Sequence, residues 1–225
     1  MIVLALLQAP RVYASGGAGG WTILMNSDQW GLMKAKVAPT AIRLDTTDYV
    51  VLITAPDYGV DFISDKTKQF VHYKKEEFRS VNKRKGPRTL RSTEEIVTGK
   101  TAKLGAVTAT QYFNRDKNTH RILAEVWTSK DVKIPTKLAD ACVELLDITE
   151  VPNGLGLPLK ITKHSYDNRQ QFYYLNTLKI QPSKVVSSDF KVPHGYKRVS
   201  DLFALQSAAS STSISDDDIK ELIKH

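Results

Sequence analysis

Long hydrophobic runs, paired cysteines and ligand-spaced histidines are all missing from this chain, and each absence closes off a class of protein. Its one cysteine, Cys142, rules out an intramolecular disulfide and has no Cys or His neighbours at zinc-binding spacing. No apolar stretch reaches the roughly 20 residues of a membrane-spanning helix. Phosphate loops, dinucleotide fingerprints, paired-histidine zinc motifs and nucleophile elbows are absent. The glycine-rich GGAGG at 16–20 does not join a strand to a helix, so it fails the context test for phosphate binding. His72, His120, His164, His194 and His225 are scattered, with none at ligand spacing from another. The paired glutamates at 76–77 and 94–95 fall in a charged stretch, where solvation is the ordinary fate of a carboxylate. These absences speak against an enzyme, a resident metal and a cofactor.

What is present begins with charge. Over 225 residues the net charge is +8, and the segment from Lys66 to Lys103 holds twelve Lys and Arg against four Glu, equal to the whole excess. Such a field attracts anionic partners. Within it, VNKRKGPRTLRS makes Lys83, Arg84, Lys85 and Arg88 the candidates for contact with an anionic membrane surface or an acidic protein. A solvated, mobile loop is the first reading of this stretch, and that contact is the alternative. Stacking aromatics are absent between Val81 and Lys103, which speaks against nucleic acid. At the N-terminus, the apolar run Ile2 to Leu7 followed by Val12-Tyr13-Ala14 resembles a secretory signal without its basic n-region, as if the start had been placed late. That reading expects residues 1–19 to be a signal and flexible start, with the mature chain periplasmic or secreted. A frayed cytoplasmic terminus is the alternative.

Most of the middle reads in period two. Met33, Ala35 and Val37 oppose Lys34 and Lys36, and AIRLDT, DYVVLITAP, GVDFISD and KQFVHYK follow as short strands, with a tight turn at Asp65-Lys66-Thr67. Residues 74–103 lose the alternation and read as a charged loop with a helical turn or two. A hairpin follows, with Val107, Ala109, Gln111 and Phe113 on one face, its turn near Asn114 to Asn118, and Ile122, Ala124 and Val126 on the return. IPTKLADACVELLDIT is a helix: Pro135 suits the first turn, and Leu138, Ala141, Cys142 and Leu145 make an apolar stripe that must dock on the sheet. In a second hairpin, Phe172, Tyr174, Asn176, Leu178 and Ile180 share one face, with Tyr173, Leu175, Thr177 and Lys179 on the other. Residues 206–225 read as a Ser-rich linker and a short helix capped by Ser215.

The last third is where motifs align. EVWTSKDVKIP, GLGLPLK and SDFKVPHGYKRV carry Trp127, Ile134-Pro135, Leu157-Pro158-Leu159 and the run Phe190 to Tyr196, and MKAKVAPTAIRLD lies in the first half. In this order the chain, over roughly residues 20 to 203, resembles an uncharacterised bacterial domain family placed near the LolA/LppX-like lipoprotein-carrier superfamily. The resemblance implies an α+β fold that is mainly antiparallel β: a curved, incomplete barrel over residues 20–205, wrapped round one or more helices with an apolar cavity between. It implies a monomeric carrier outside the cytoplasm for a lipid or acyl chain, with Arg43, Trp127, Phe172 and Tyr174 at the cavity. Phe190 and Val192 would then fill the sheet interior, Pro193 would end strand pairing, and His194 would be an inert turn position. The competing function is a non-catalytic structural or protein-interaction module that uses the basic loop 66–103 or the C-terminal helix.

Overall fold

The computed structural model describes residues 19–83, 93–146, 154–165 and 170–211. The signal-like segment, Arg84, Lys85, Arg88 and the Ser215-capped helix lie outside the described residues, as does the side chain of Lys83. Among the described residues, twelve strands form one curved, unclosed and mainly antiparallel sheet, accompanied by three α-helices, the architecture expected from the sequence.

The first six strands form an unbroken meander: β1 (Gly19–Ser27), β2 (Gly31–Ala38), β3 (Ala41–Asp45), β4 (Val50–Thr54), β5 (Gly59–Ser64) and β6 (Gln69–Tyr73). Their alternation sends Ile23, Met33, Ala35, Val37, Ile42, Leu44, Val51 and Ile53 into one continuous core. A second run continues from β1 on its other side: β11 (Gln171–Lys184), β10 (Pro158–His164), β9 (Ile122–Thr128), β8 (Val107–Asp116) and finally β7 (Thr93–Leu104) at the free edge. The helices α1 (Lys75–Lys83) and α3 (Leu202–Ser211) lie on β5 and β6, while α2 (Thr136–Leu145) lies on β3 and β4. Phe78 of α1 enters an aromatic group with its ring centroid 6.0 Å from Phe62 and 6.3 Å from Tyr73. Arg79 of α1 and Glu144 of α2 form a two-pronged ion pair that ties the two helices together.

The opposite, outer face of β3–β6 is covered by the chain that leaves β11. A 3-10 turn (Ser187–Phe190) sits over β3 and β4, and Val192 and Tyr196 pack on Val50, Leu52 and Ile63. The short β12 (Lys197–Arg198) then pairs in parallel with β6 at the other edge. SDFKVPHGYKRV is therefore a strap across the outer face: Phe190 closes the 3-10 turn half-buried and Val192 packs outside the sheet, whereas the sequence suggested a final strand filling the interior. His194 is an exposed turn residue. The Tyr196 hydroxyl donates to Asp65 Oδ1 at 2.6 Å and accepts from Lys68 Nζ at 3.1 Å.

Two further expectations change. Residues 93–104 are strand, where the sequence suggested loop: β7 is an edge strand wet on most positions, so it carries no hydrophobic alternation to read. Its pairing with β8 is interrupted between Val97 and Thr101, a bulge that blunts the free edge against further strand pairing. In β11 the expected faces are scrambled by two irregularities, one leaving Tyr174 unpaired with β10 and one leaving Leu178 unpaired with β1. The bulge at Leu178 reverses the alternation, so Leu175 and Ile180 both reach the core at 1% and 2% exposure.

The strap is also held by charge. Lys36 Nζ donates to Asp189 Oδ1 at 2.6 Å and Asp189 Oδ2 accepts from Val186 N at 3.0 Å, which together hold the Asp189 carboxyl below its ordinary value. A depressed acid stabilises the fold above its unfolded-state value, near 3.9, and loses that contribution as pH falls through the folded value. Asp189→Asn is expected to flatten the acid limb of a stability–pH curve while changing neutral stability by under about 1 kcal/mol, since the pair is partly exposed. An acid limb identical to wild type would remove Asp189 from the account.

Candidate functional site

A groove of about 380 Å³ opens where β8, the end of β9, the 129–136 connection and the 154–156 loop meet. That volume lies within the roughly 300–1,000 Å³ of small-molecule sites. Thr110 and Thr128 are register partners on β8 and β9, so their side chains enter the groove side by side, and Tyr112 lies two residues further along β8. Val132, Ile134 and Leu155 supply apolar walls, and among the described residues Lys130 and Lys133 supply the only charges in the lining.

Local hydrogen bonds fix this shape. Ser129 Oγ donates to Thr108 O at 2.7 Å and accepts from Asp131 N at 3.1 Å. Asp131 Oδ2 in turn accepts from Thr108 N at 2.9 Å, so the connection is clamped to the start of β8. Val132, 4% exposed, pins it to the core. On the other wall, Asp140 of α2 accepts from Gly154 N at 3.0 Å, tethering the loop that carries Leu155. The helix begins at the groove with Pro135 as N-cap, which supplies no side-chain oxygen.

The four residues expected at a cavity are placed apart. Trp127 precedes Thr128 by one residue, so strand alternation sends it to the opposite face, where its Nε1 donates to Glu125 Oε1 at 2.7 Å. Arg43 is half-buried under the strap, its Nε donating to Asp45 Oδ1 at 2.7 Å and its Nη1 to Asp189 O at 3.2 Å. Tyr174 stands at the other end of α2, its hydroxyl 2.7 Å from Leu146 O and 2.8 Å from Gln29 Oε1, with Lys163 Nζ 3.8 Å above its ring. Phe172 is 49% exposed near the start of β11. None of the four lines the groove.

Cys142 is buried in α2, and burial pushes its thiol up to about 12, far from a reactive thiolate. Groups of three or more His, Cys, Asp or Glu able to hold a metal are absent among the described residues. No described helix is long and apolar enough to cross a membrane.

Most of the groove residues occupy a strand end and connections, where no periodicity marks a side chain as inward, and Thr110 and Tyr112 lie on the face of β8 that alternates with Val107, Ala109 and Gln111. The available signal was the TSKDVKIP connection itself, with Val132 and Ile134 set between Lys130 and Lys133 in a segment too short to be solvated throughout.

No protein-family model matches the chain. No curated protein matches it in sequence. Among solved structures, it is similar to an uncharacterized conserved protein from Thermus thermophilus, with a TM-score of 0.45 and 10% identity over 81% of this chain and 90% of that one. It is similar to MucB in a complex with MucA(peri), with a TM-score of 0.41 and 10% identity over 81% of this chain, and it spans 57% of that chain. A LolA superfamily protein from Nitrosomonas europaea is also among the neighbours, with a TM-score of 0.27 and 8% identity over 80% of this chain and 91% of that one. At such scores and identities, function must be argued from the site's own residues.

Proposed function

We propose that this chain is a non-catalytic binding protein that works outside the cytoplasm and holds the apolar chain of a lipid-like ligand in the groove between β8, β9 and the start of α2. The observation that carries the reading is the groove itself, lined by Val132, Ile134 and Leu155 together with Tyr112. A flexible chain laid there loses water from apolar surface at about 25 cal/mol per Å². The wall residues are set on hydrogen-bonded connections, so little ordering cost is left for binding. The signal-like N-terminus supports the location, and the chemistry of the lining asks for no acid, base or nucleophile.

Filling the groove tests this directly. Ile134 is half-buried at the lining, and Ile134→Trp places an indole where the chain would lie. The variant is expected to keep its melting temperature within a few degrees and to bind a fluorescent acyl probe at least about tenfold more weakly. Unchanged probe affinity in a folded variant would move the ligand elsewhere.

A specific observation favours a second reading, the interaction module. Leu32, Leu178 and Tyr173 are 56%, 55% and 65% exposed on β2 and β11, to either side of β1. Exposed apolar side chains on the strands that flank β1 are what a protein partner covers.

A further inference from the structure

Resting on that reading, we infer that the end of the groove beside the start of α2 is an oxyanion site, which takes the phosphate or carboxylate head group of the ligand whose chain lies along Tyr112, Val132 and Leu155. Three independent features converge there.

The first is charge. Lys130 and Lys133 line the groove, and among the described residues no Asp or Glu does. The neighbouring carboxylates Asp131 and Asp140 are held on backbone amides, Thr108 N at 2.9 Å and Gly154 N at 3.0 Å, and not on the lysines. Among the described residues neither lysine is in an ion pair.

The second is the helix end. Thr136, the first residue of α2, lines the groove, and the helix has neither a side-chain cap nor an acidic residue in its first turn. The amides of Leu138 and Ala139 turn back to Pro135 O. Those of Thr136 and Lys137 remain at the positive end of the helix, where an anion is favoured.

The third is a hydroxyl without a protein partner, on a nearly buried residue and still reached by solvent. Thr128 lines the groove at 4% exposure, and its hydroxyl has no hydrogen-bond partner among the described residues. Ser129 beside it shows the usual arrangement, its hydroxyl donating to Thr108 O at 2.7 Å. A hydroxyl so placed bonds water, or a ligand that displaces the water. An alkyl chain would leave the Thr128 hydroxyl, the helix end and both lysines unused, whereas an oxyanion accepts hydrogen bonds from all of them.

The test compares dodecyl phosphate, dodecanol and inorganic phosphate on the full chain by calorimetry. Wild type is expected to bind dodecyl phosphate at least about tenfold more tightly than dodecanol, and that ratio should shrink as salt rises because the lysines are exposed. Lys130→Gln with Lys133→Gln should bring the ratio near one, with the loss falling on dodecyl phosphate. Thr128→Val, nearly isosteric, should lower the ratio several-fold with the fold intact by circular dichroism. Inorganic phosphate that competes with dodecyl phosphate marks the site as open to the free ion, and failure to compete marks it as a head-group site; either upholds the oxyanion. Equal affinity of wild type for dodecyl phosphate and dodecanol would overturn the oxyanion site and leave the groove reading standing. No binding of either amphiphile would overturn both.

Discussion

Leu138→Asp is expected to leave the protein unfolded at ambient temperature, and Leu145→Ala to remove about 2–5 kcal/mol of stability. Both residues belong to the stripe of α2 that lies on β3 and β4, at 0% and 2% exposure. Truncating Leu145 forfeits its transfer free energy and opens a cavity beside Cys142 and Leu146, which the clamped helix cannot collapse to fill. An aspartate at position 138 is worse, because it would bury a carboxylate in the apolar cluster to which Leu138 belongs. A typical domain has only about 5–15 kcal/mol to lose, so a buried unpaired carboxylate can consume most of it. Urea unfolding followed by tryptophan fluorescence measures both. A loss under about 0.5 kcal/mol for Leu145→Ala would place α2 outside the core.

Gly105→Ala is expected to cost more than about 2 kcal/mol although it adds one methyl group. Gly105 and Ala106 form the two-residue turn between β7 and β8, and Gly105 has a φ of 56°, as the first position of a primed hairpin turn requires. The turn folds onto β11: Ala106 N donates to Ile180 O at 3.3 Å. A Cβ on Gly105 would lie 2.8 Å from that same carbonyl oxygen and 3.0 Å from Ile180 Cγ2. Backbone strain and steric conflict therefore act together, and the oxygen cannot move without disturbing the β1–β11 ladder. Gly19→Ala, where a Cβ meets nothing within 4 Å, is the control and should be neutral within about 0.5 kcal/mol. Equal stability of the two variants would show that the hairpin tip is not packed on β11.

These two sites differ in how far the sequence reveals them. The α2 stripe was legible because helical spacing repeats over Leu138, Ala141, Cys142 and Leu145, and all four are buried. The meander from β2 to β6 was legible for the same reason in period two. What failed was any feature that breaks period. Tyr174 and Leu178 read as ordinary strand positions, yet each sits at an irregularity, and the one at Leu178 reverses which side chains of β11 reach the core. β7 has no period because solvent, and not the core, meets most of its positions. The docking of Gly105 on Ile180 joins residues far apart in sequence through a backbone contact that no side-chain pattern records. The four residues that the resemblance put at a cavity lie apart from the groove, and Thr128, next to Trp127 in sequence, lines it.

The central claim is that the groove between β8, β9 and the start of α2 holds an apolar chain. A two-dimensional amide NMR titration of the full chain with dodecanol tests it most directly, because it reports where the ligand sits without any variant. The expected result is a saturable set of shifts at Thr110, Tyr112, Thr128, Val132, Ile134 and Leu155, with Leu32, Tyr173 and Leu178 unmoved. Saturable shifts confined to Leu32, Tyr173 and Leu178, or none anywhere at millimolar dodecyl chain, would contradict it.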